Sequence, residues 1–157
     1  MDLVYVVVAT GVLGTLMMDV LNHLFARVGI ISKIDMAIIG RMAAGWAGWR
    51  FRYRHPSDME QKAHEKLYGV VTHYTIGVSL AFPYVGGWEL LTGEPASPVW
   101  AIVYGIATTA ASWFIVYPSM GFGMFGLRSP EGLKASLSSL ANHLFFGMGI
   151  AAGLVIM

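Results

Sequence analysis

There is no cysteine among the 157 residues. Its absence removes a disulfide frame, a thiolate nucleophile and every thiolate-held zinc or iron–sulfur centre, and it leaves the redox compartment open. Charge is also scarce: Asp, Glu, Lys and Arg together make up 12% of the chain, and the net charge is +1. So small a surplus, with its cations grouped by loop, argues against nucleic acid as a partner. The start, Met1-Asp2-Leu3, lacks the cationic opening of a signal peptide, so the apolar stretch behind it is expected to be retained as a transmembrane helix. Gly121, Gly123 and Gly126 neither follow a strand nor open a dinucleotide-binding unit, and are no nucleotide loop. No serine or threonine sits with a base and an orienting acid in a catalytic context, so no catalytic residue is assigned.

What the chain does contain is apolar surface: 56% hydrophobic residues and a mean hydropathy of +0.62, values that belong to a polytopic membrane protein. The expected fold is all-α, a single integral membrane domain over residues 1–157 built as a four-transmembrane-helix bundle. Its spans are placed at about residues 3–26, 66–87, 98–117 and 134–156. A short interfacial helix is expected in the first connection, between Ser32 as a cap and Trp49. The basic, aromatic segment Arg50-Phe51-Arg52-Tyr53-Arg54 after it suits anionic headgroups, or a solvated loop. Ser57-Asp58-Met59-Glu60 reads as a capping box, which starts the second long helix near Asp58. Pro83 should kink that helix and Gly86-Gly87 end it. Ser97-Pro98 and Ser129-Pro130-Glu131 open the last two helices, and Pro118 stops the first of them. The Gly-rich stretch 119–126 is expected either to re-enter the protein or to lie on its surface.

Each long helix carries a flat side of small residues interrupted by a polar one. Gly11, Thr15, Asp19 and His23 repeat every fourth position, with Asn22 beside them. Gly69, His73, Gly77 and Ala81 do the same, and the last helix carries Ser136 or Ser139, then His143, Gly147 and Ala151. All ten Lys and Arg residues fall between Arg27 and Lys66 or at Arg128 and Lys134. In a four-span layout those segments share one side, so the positive-inside rule places them in the cytoplasm and both termini in the periplasm of a bacterial inner membrane. Asp19 lies eight residues before Arg27, His73 seven after Lys66 and His143 nine after Lys134. At 1.5 Å per residue all three sit roughly 10–14 Å deep, and Ser112 on the third span reaches a similar level. An ionisable group at that depth costs a few kcal/mol unless paired, so a shared layer of Asp19, His73, His143 and Ser112 is expected.

That layer admits several readings. Asp19, His73 and His143 are ligand types for a divalent metal, with Asn22, His23, Asn142 and Ser112 around them and Arg41 within reach of Asp19. His73 and His143 could hold a b-type haem between two helices. The same groups could relay a proton or bind and translocate an ion or small ligand, or simply hydrogen-bond one another and fix the packing. A non-enzymatic membrane subunit or assembly factor is the alternative of a different kind. Four helices enclose little volume, so transport would call for a homo-oligomer or a membrane-complex partner.

These residues also resemble a known family. Met18-Asp19, Ile39-Gly40-Arg41, Gly69 with His73-Tyr74 and Gly77, Pro118-Ser119-Met120-Gly121-Phe122-Gly123, and Ser139-Leu140 with His143 and Phe146-Gly147 are similar in order and spacing to bacterial integral membrane proteins of domain-of-unknown-function family 2938. The resemblance spans almost the whole chain. It implies a four-helix membrane protein and implies no activity.

Overall fold

The computed structural model describes residues 2–157, and those residues form helices and turns with no strand among them. In chain order the helices are α1 (Leu3–Arg27), α2 (Met36–Ala47), α3 (Glu65–Ala81), α4 (Gly87–Thr92), α5 (Pro98–Ala111), α6 (Tyr117–Ser119) and α7 (Leu133–Ile156). Among the described residues three stretches are long and apolar enough to cross a membrane: Leu3–Arg27, Pro98–Ser119 and Leu133–Ile156. The segment expected as the second of four spans is divided. Pro83 has no N–H to return to the Ser79 carbonyl, and the chain loosens into a π turn over Phe82–Gly86. The helix then resumes as α4 and ends at Gly93, whose φ of 71° only glycine adopts readily, instead of stopping at Gly86-Gly87. Pro118 acts in the same way. A π turn over Ser112–Val116 precedes it, and the helix continues through α6 to Ser119 rather than stopping at Pro118.

Helix starts differ from the sequence reading where two caps compete. Asp35, not Ser32, caps α2, its carboxylate accepting from the Ala37 N–H at 2.9 Å. The capping box expected around Ser57–Glu60 yields a single 3₁₀ turn, Pro56–Asp58, in which His55 and Asp58 exchange side-chain bonds, and α3 begins only at Glu65. Residues 129–132 form a turn, so α7 begins at Leu133.

The helices meet through glycines, because within lipid close backbone approach and van der Waals contact replace the hydrophobic drive of soluble cores. A Cβ on Gly40 would overlap the Glu65 carbonyl and one on Gly69 the Met36 carbonyl, which welds α2 to α3. Gly11 lies against the Val78 Cα (2.6 Å to a built Cβ), joining α1 to α3, and Gly149 against the Gly14 Cα (2.6 Å), joining α7 to α1. Gly105 meets Gly147 where α5 crosses α7. Phe146 and Ile150, at 1% and 0% exposure, fill the space between these crossings. A second apolar cluster of Ile39, Met42, Tyr53, Met59 and Met120 ties α2 to the end of the α5–α6 rod.

Packed neighbours therefore run in the order α2, α3, α1, α7, α5, an arc rather than a closed ring. α3 and α5 hardly touch along their length. They are bridged near one end, where the Tyr104 hydroxyl donates to the Leu80 carbonyl (2.6 Å) and Tyr84 stacks on Tyr104 at 5.0 Å. The Met42–Met120 cluster bridges the arc at the other end.

Candidate functional site

The unclosed arc leaves a cavity of about 420 Å³. Its walls are mostly aliphatic and aromatic, contributed by Ile38 and Met42 of α2, Ile76 and Leu80 of α3, Val116 and Phe146. Polar groups enter at two levels. At the mouth stand Ser32, Lys33, Asp35, Ser129 and Glu131, from the α1–α2 connection and the turn before α7. Deeper, His73 comes from α3, Ser112 from the π turn after α5, and Asn142 and His143 from α7.

His73 owes its place to its neighbours. Gly69 lets α2 in on one side and Gly77 lets Thr15 of α1 in on the other, so the imidazole between them is pressed into the interior. Its Nε2 lies 3.0 Å from Asp19 Oδ1. Asp19 stands behind His73 and not in the cavity wall, so the carboxylate orients the ring while Nδ1 has no protein partner among the described residues.

His143 is held differently. Thr108 Oγ1 lies 2.7 Å from its Nδ1, and Ser112 Oγ lies 2.8 Å from its Nε2. Thr108 also donates to the Gly105 carbonyl at 2.6 Å. With that proton committed, the threonine oxygen accepts from Nδ1–H, Nε2 is the bare nitrogen, and Ser112 donates to it. Ser112 then presents only lone pairs to the cavity. Because Ser112 opens a π turn, its backbone is displaced from ideal helical register, and π turns of this kind recur at functional positions.

The remaining residues singled out by the sequence are distributed around this centre. Asn22 is buried in a latch: its amide donates to Asn142 Oδ1 (3.0 Å) and to the Ser32 carbonyl (2.9 Å), and its own oxygen accepts from the Ile34 N–H. Ser138 closes the latch by accepting from the Ser32 N–H at 2.7 Å, and the Ser32 hydroxyl donates to Glu131. His23 lies exposed on the outer face of α1, away from the cavity. Arg41 does not turn to Asp19. It grips Glu65 through two bonds, at 2.7 and 2.8 Å, and fastens α2 to the start of α3. This fork, with a further bond from the Lys62 N–H, holds the Glu65 carboxyl down to about 2, and Glu65 in turn raises the arginine.

Among the described residues no group of three or more His, Asp or Glu side chains is arranged to hold a metal ion. Asp19 and His73 form one pair and His143 belongs to a hydroxyl network. Sequence reasoning missed Ser32, Ser138 and Glu131 at the mouth, and Thr108 beside His143. Thr108 precedes Ser112 by one helical turn, a spacing that already puts both hydroxyls on one face. Ser129, also in the wall, carries a buried hydroxyl with no protein partner.

Comparison with curated proteins and with solved structures returns no match. Residues 8–157 match the family described as "Protein of unknown function (DUF2938)". With nearly the whole of its length covered by that match, and with three helices fit to cross a bilayer, this chain belongs to the DUF2938 family.

Proposed function

We propose that this is a four-span protein of the bacterial inner membrane that binds a small ligand in the cavity, where His73, backed by Asp19, exchanges a proton with it. The fourth span in this reading is α3 carried on through its π turn into α4, and both termini lie in the periplasm. The observation that carries the proposal is the convergence of His73, Ser112 and His143, from three different elements, on one largely apolar cavity. A few convergent polar groups in an apolar hollow of about 300–1,000 Å³ is the general form of small-molecule sites. An imidazole held by a carboxylate can both give and take a proton. A proton-handling ligand site fits these features, since Asp19 stands behind His73 and only the two histidines line the cavity. The exposed Trp49 and Phe51 with Arg50, Arg52 and Arg54 support the orientation, as anchors at a headgroup layer on the cytoplasmic side.

The absence of native cysteine makes the test clean. Single cysteines at Ile76 and Leu80 in the cavity wall should react with a charged, water-soluble thiol reagent, whereas those at Val12 and Ile106 on outer faces should not. Equal protection at all four positions would sink the proposal.

A further inference from the structure

Resting on that reading of the cavity, we infer that its ligand is a lipid-soluble quinone or hydroquinone, seated with its two ring oxygens between His73 and Ser112. Two hydrogen-bonding stations stand on opposite sides of the hollow. Ser112 belongs to the α5 side and His73 to α3, two elements that line the cavity and hardly touch each other. A ligand that satisfies both must carry polar atoms on two opposite edges of a compact, otherwise apolar body.

Each station can change its hydrogen-bonding sense without moving a heavy atom. With neutral His73 giving its Nε2–H to Asp19, Nδ1 is an acceptor; with a proton added, Nδ1–H becomes a donor. On the other side, Thr108 donating to Gly105 leaves Ser112 as an acceptor toward the cavity. In the other tautomer of His143, with the one ring proton on Nε2 instead of Nδ1, Thr108 donates to Nδ1, Nε2–H donates to Ser112 Oγ, and the serine's own proton points into the cavity. Two acceptors suit the two hydroxyls of a hydroquinone, and two donors suit the two carbonyls of a quinone. Few other ligands interconvert between those forms.

The surroundings agree. Neutral apolar walls of Ile38, Ile76, Leu80 and Phe146 suit an uncharged ring, and the carboxylates of Asp35 and Glu131 at the mouth, against the single Lys33, disfavour an anionic amphiphile such as a fatty acid. The gap between α3 and α5, bridged at its ends by Tyr84–Tyr104 and Met42–Met120, gives an alkyl tail a lateral way out toward lipid.

The test uses the full chain in detergent, with decyl-substituted benzoquinone, its hydroquinone and decylbenzene titrated by calorimetry. Both oxygenated probes should bind about tenfold or more tightly than decylbenzene, the scale of one to two hydrogen bonds. Ser112→Ala should erase most of that margin while leaving decylbenzene binding unchanged, and His73→Phe should do the same. Leu80→Trp, which fills the hollow, should abolish binding of all three. Equal binding of decylbenzene and the quinone, or a margin untouched by Ser112→Ala, overturns the ligand class. If the cavity cysteines react as expected and none of the three probes binds, the ligand class falls while the cavity reading stands; if those cysteines are also inert, both fall.

Discussion

At the scale of single residues, the two histidines differ in what their loss should expose. His73→Ala takes from Asp19 its imidazole partner at membrane depth and leaves the carboxylate only the Tyr74 hydroxyl, a loss that costs up to a few kcal/mol. Asp19→Asn keeps an acceptor for Nε2–H and should cost clearly less. Thermal unfolding of the two variants in one detergent checks the order, and equal loss would mean that the imidazole is not what satisfies the carboxylate. Outside the spans, Glu65 makes a pH-dependent contribution. Its folded value of about 2 lies below the ordinary 4.5, so the stability it lends through Arg41 is fully present above about 4.5 and fades as the pH falls toward 2. The difference in melting temperature between the wild type and Glu65→Gln should therefore be constant from pH 7 to 5 and shrink below that. A difference that instead grew on acidification would contradict the depressed value. The sequence pointed to Asp19, His73 and His143 through depth and small-residue spacing, both of which are one-dimensional quantities. It could not show that Arg41 turns to Glu65, because that choice depends on where α2 lies across α3.

At the scale of elements, glycine decides which helices pair, and this was readable: the flat stripes through Gly11, Gly69, Gly77 and Gly147 are the faces at which α1, α2, α3, α5 and α7 cross. Gly40→Ala and Gly69→Ala each push a methyl into a carbonyl of the neighbouring helix. Overpacking typically costs about 1–3 kcal/mol, and these sites should lie at or above the top of that range because the obstacle is backbone. Gly87→Ala is the control. It is helical, with φ −65°, and meets nothing within 4 Å, so it should be neutral or stabilise by about 0.4–1 kcal/mol. A Gly69→Ala protein as stable as Gly87→Ala would show that α2 is not seated on α3. What the sequence hid were the helix ends and the π turns. Proline announces a disturbance but not its form: at Pro83 and Pro118 alike the helix widens and goes on. Likewise Ser57-Asp58-Met59-Glu60 has the letters of a capping box, but the cap closes on His55 and supports only one turn.

At the scale of the whole molecule, the end that gathers the cations is also the end at which the cavity opens. The Asn22–Ser32–Ser138 latch and the seating of Gly121 against His55 and Pro56 bring the α1–α2 connection, the segment before α3 and the loop before α7 together. All ten Lys and Arg residues belong to these segments or to α2 and the helix ends beside them, whereas Asp2, Glu89 and Glu94 mark the opposite end. Charge counted along the chain thus becomes charge sorted in space, and only the helix packing makes the conversion. The division of α3 from α4 at Pro83 tests the sorting most severely. If α3 with α4 crosses the bilayer, the chain crosses four times and both ends share the periplasm; if it folds back, the crossings number three and the termini part. A reporter enzyme active only in the periplasm, fused after Met157 and separately within the Glu89–Ser97 connection, should be active at both places, and one fused after Arg54 inactive. Activity after Glu89 requires the π turn to lie inside the membrane, where its freed carbonyls are satisfied by neighbouring helices rather than by water. Equal activity after Arg54 and within the Glu89–Ser97 connection would instead remove the fourth span, since no crossing would separate them and the two basic segments would then lie on opposite faces of the bilayer.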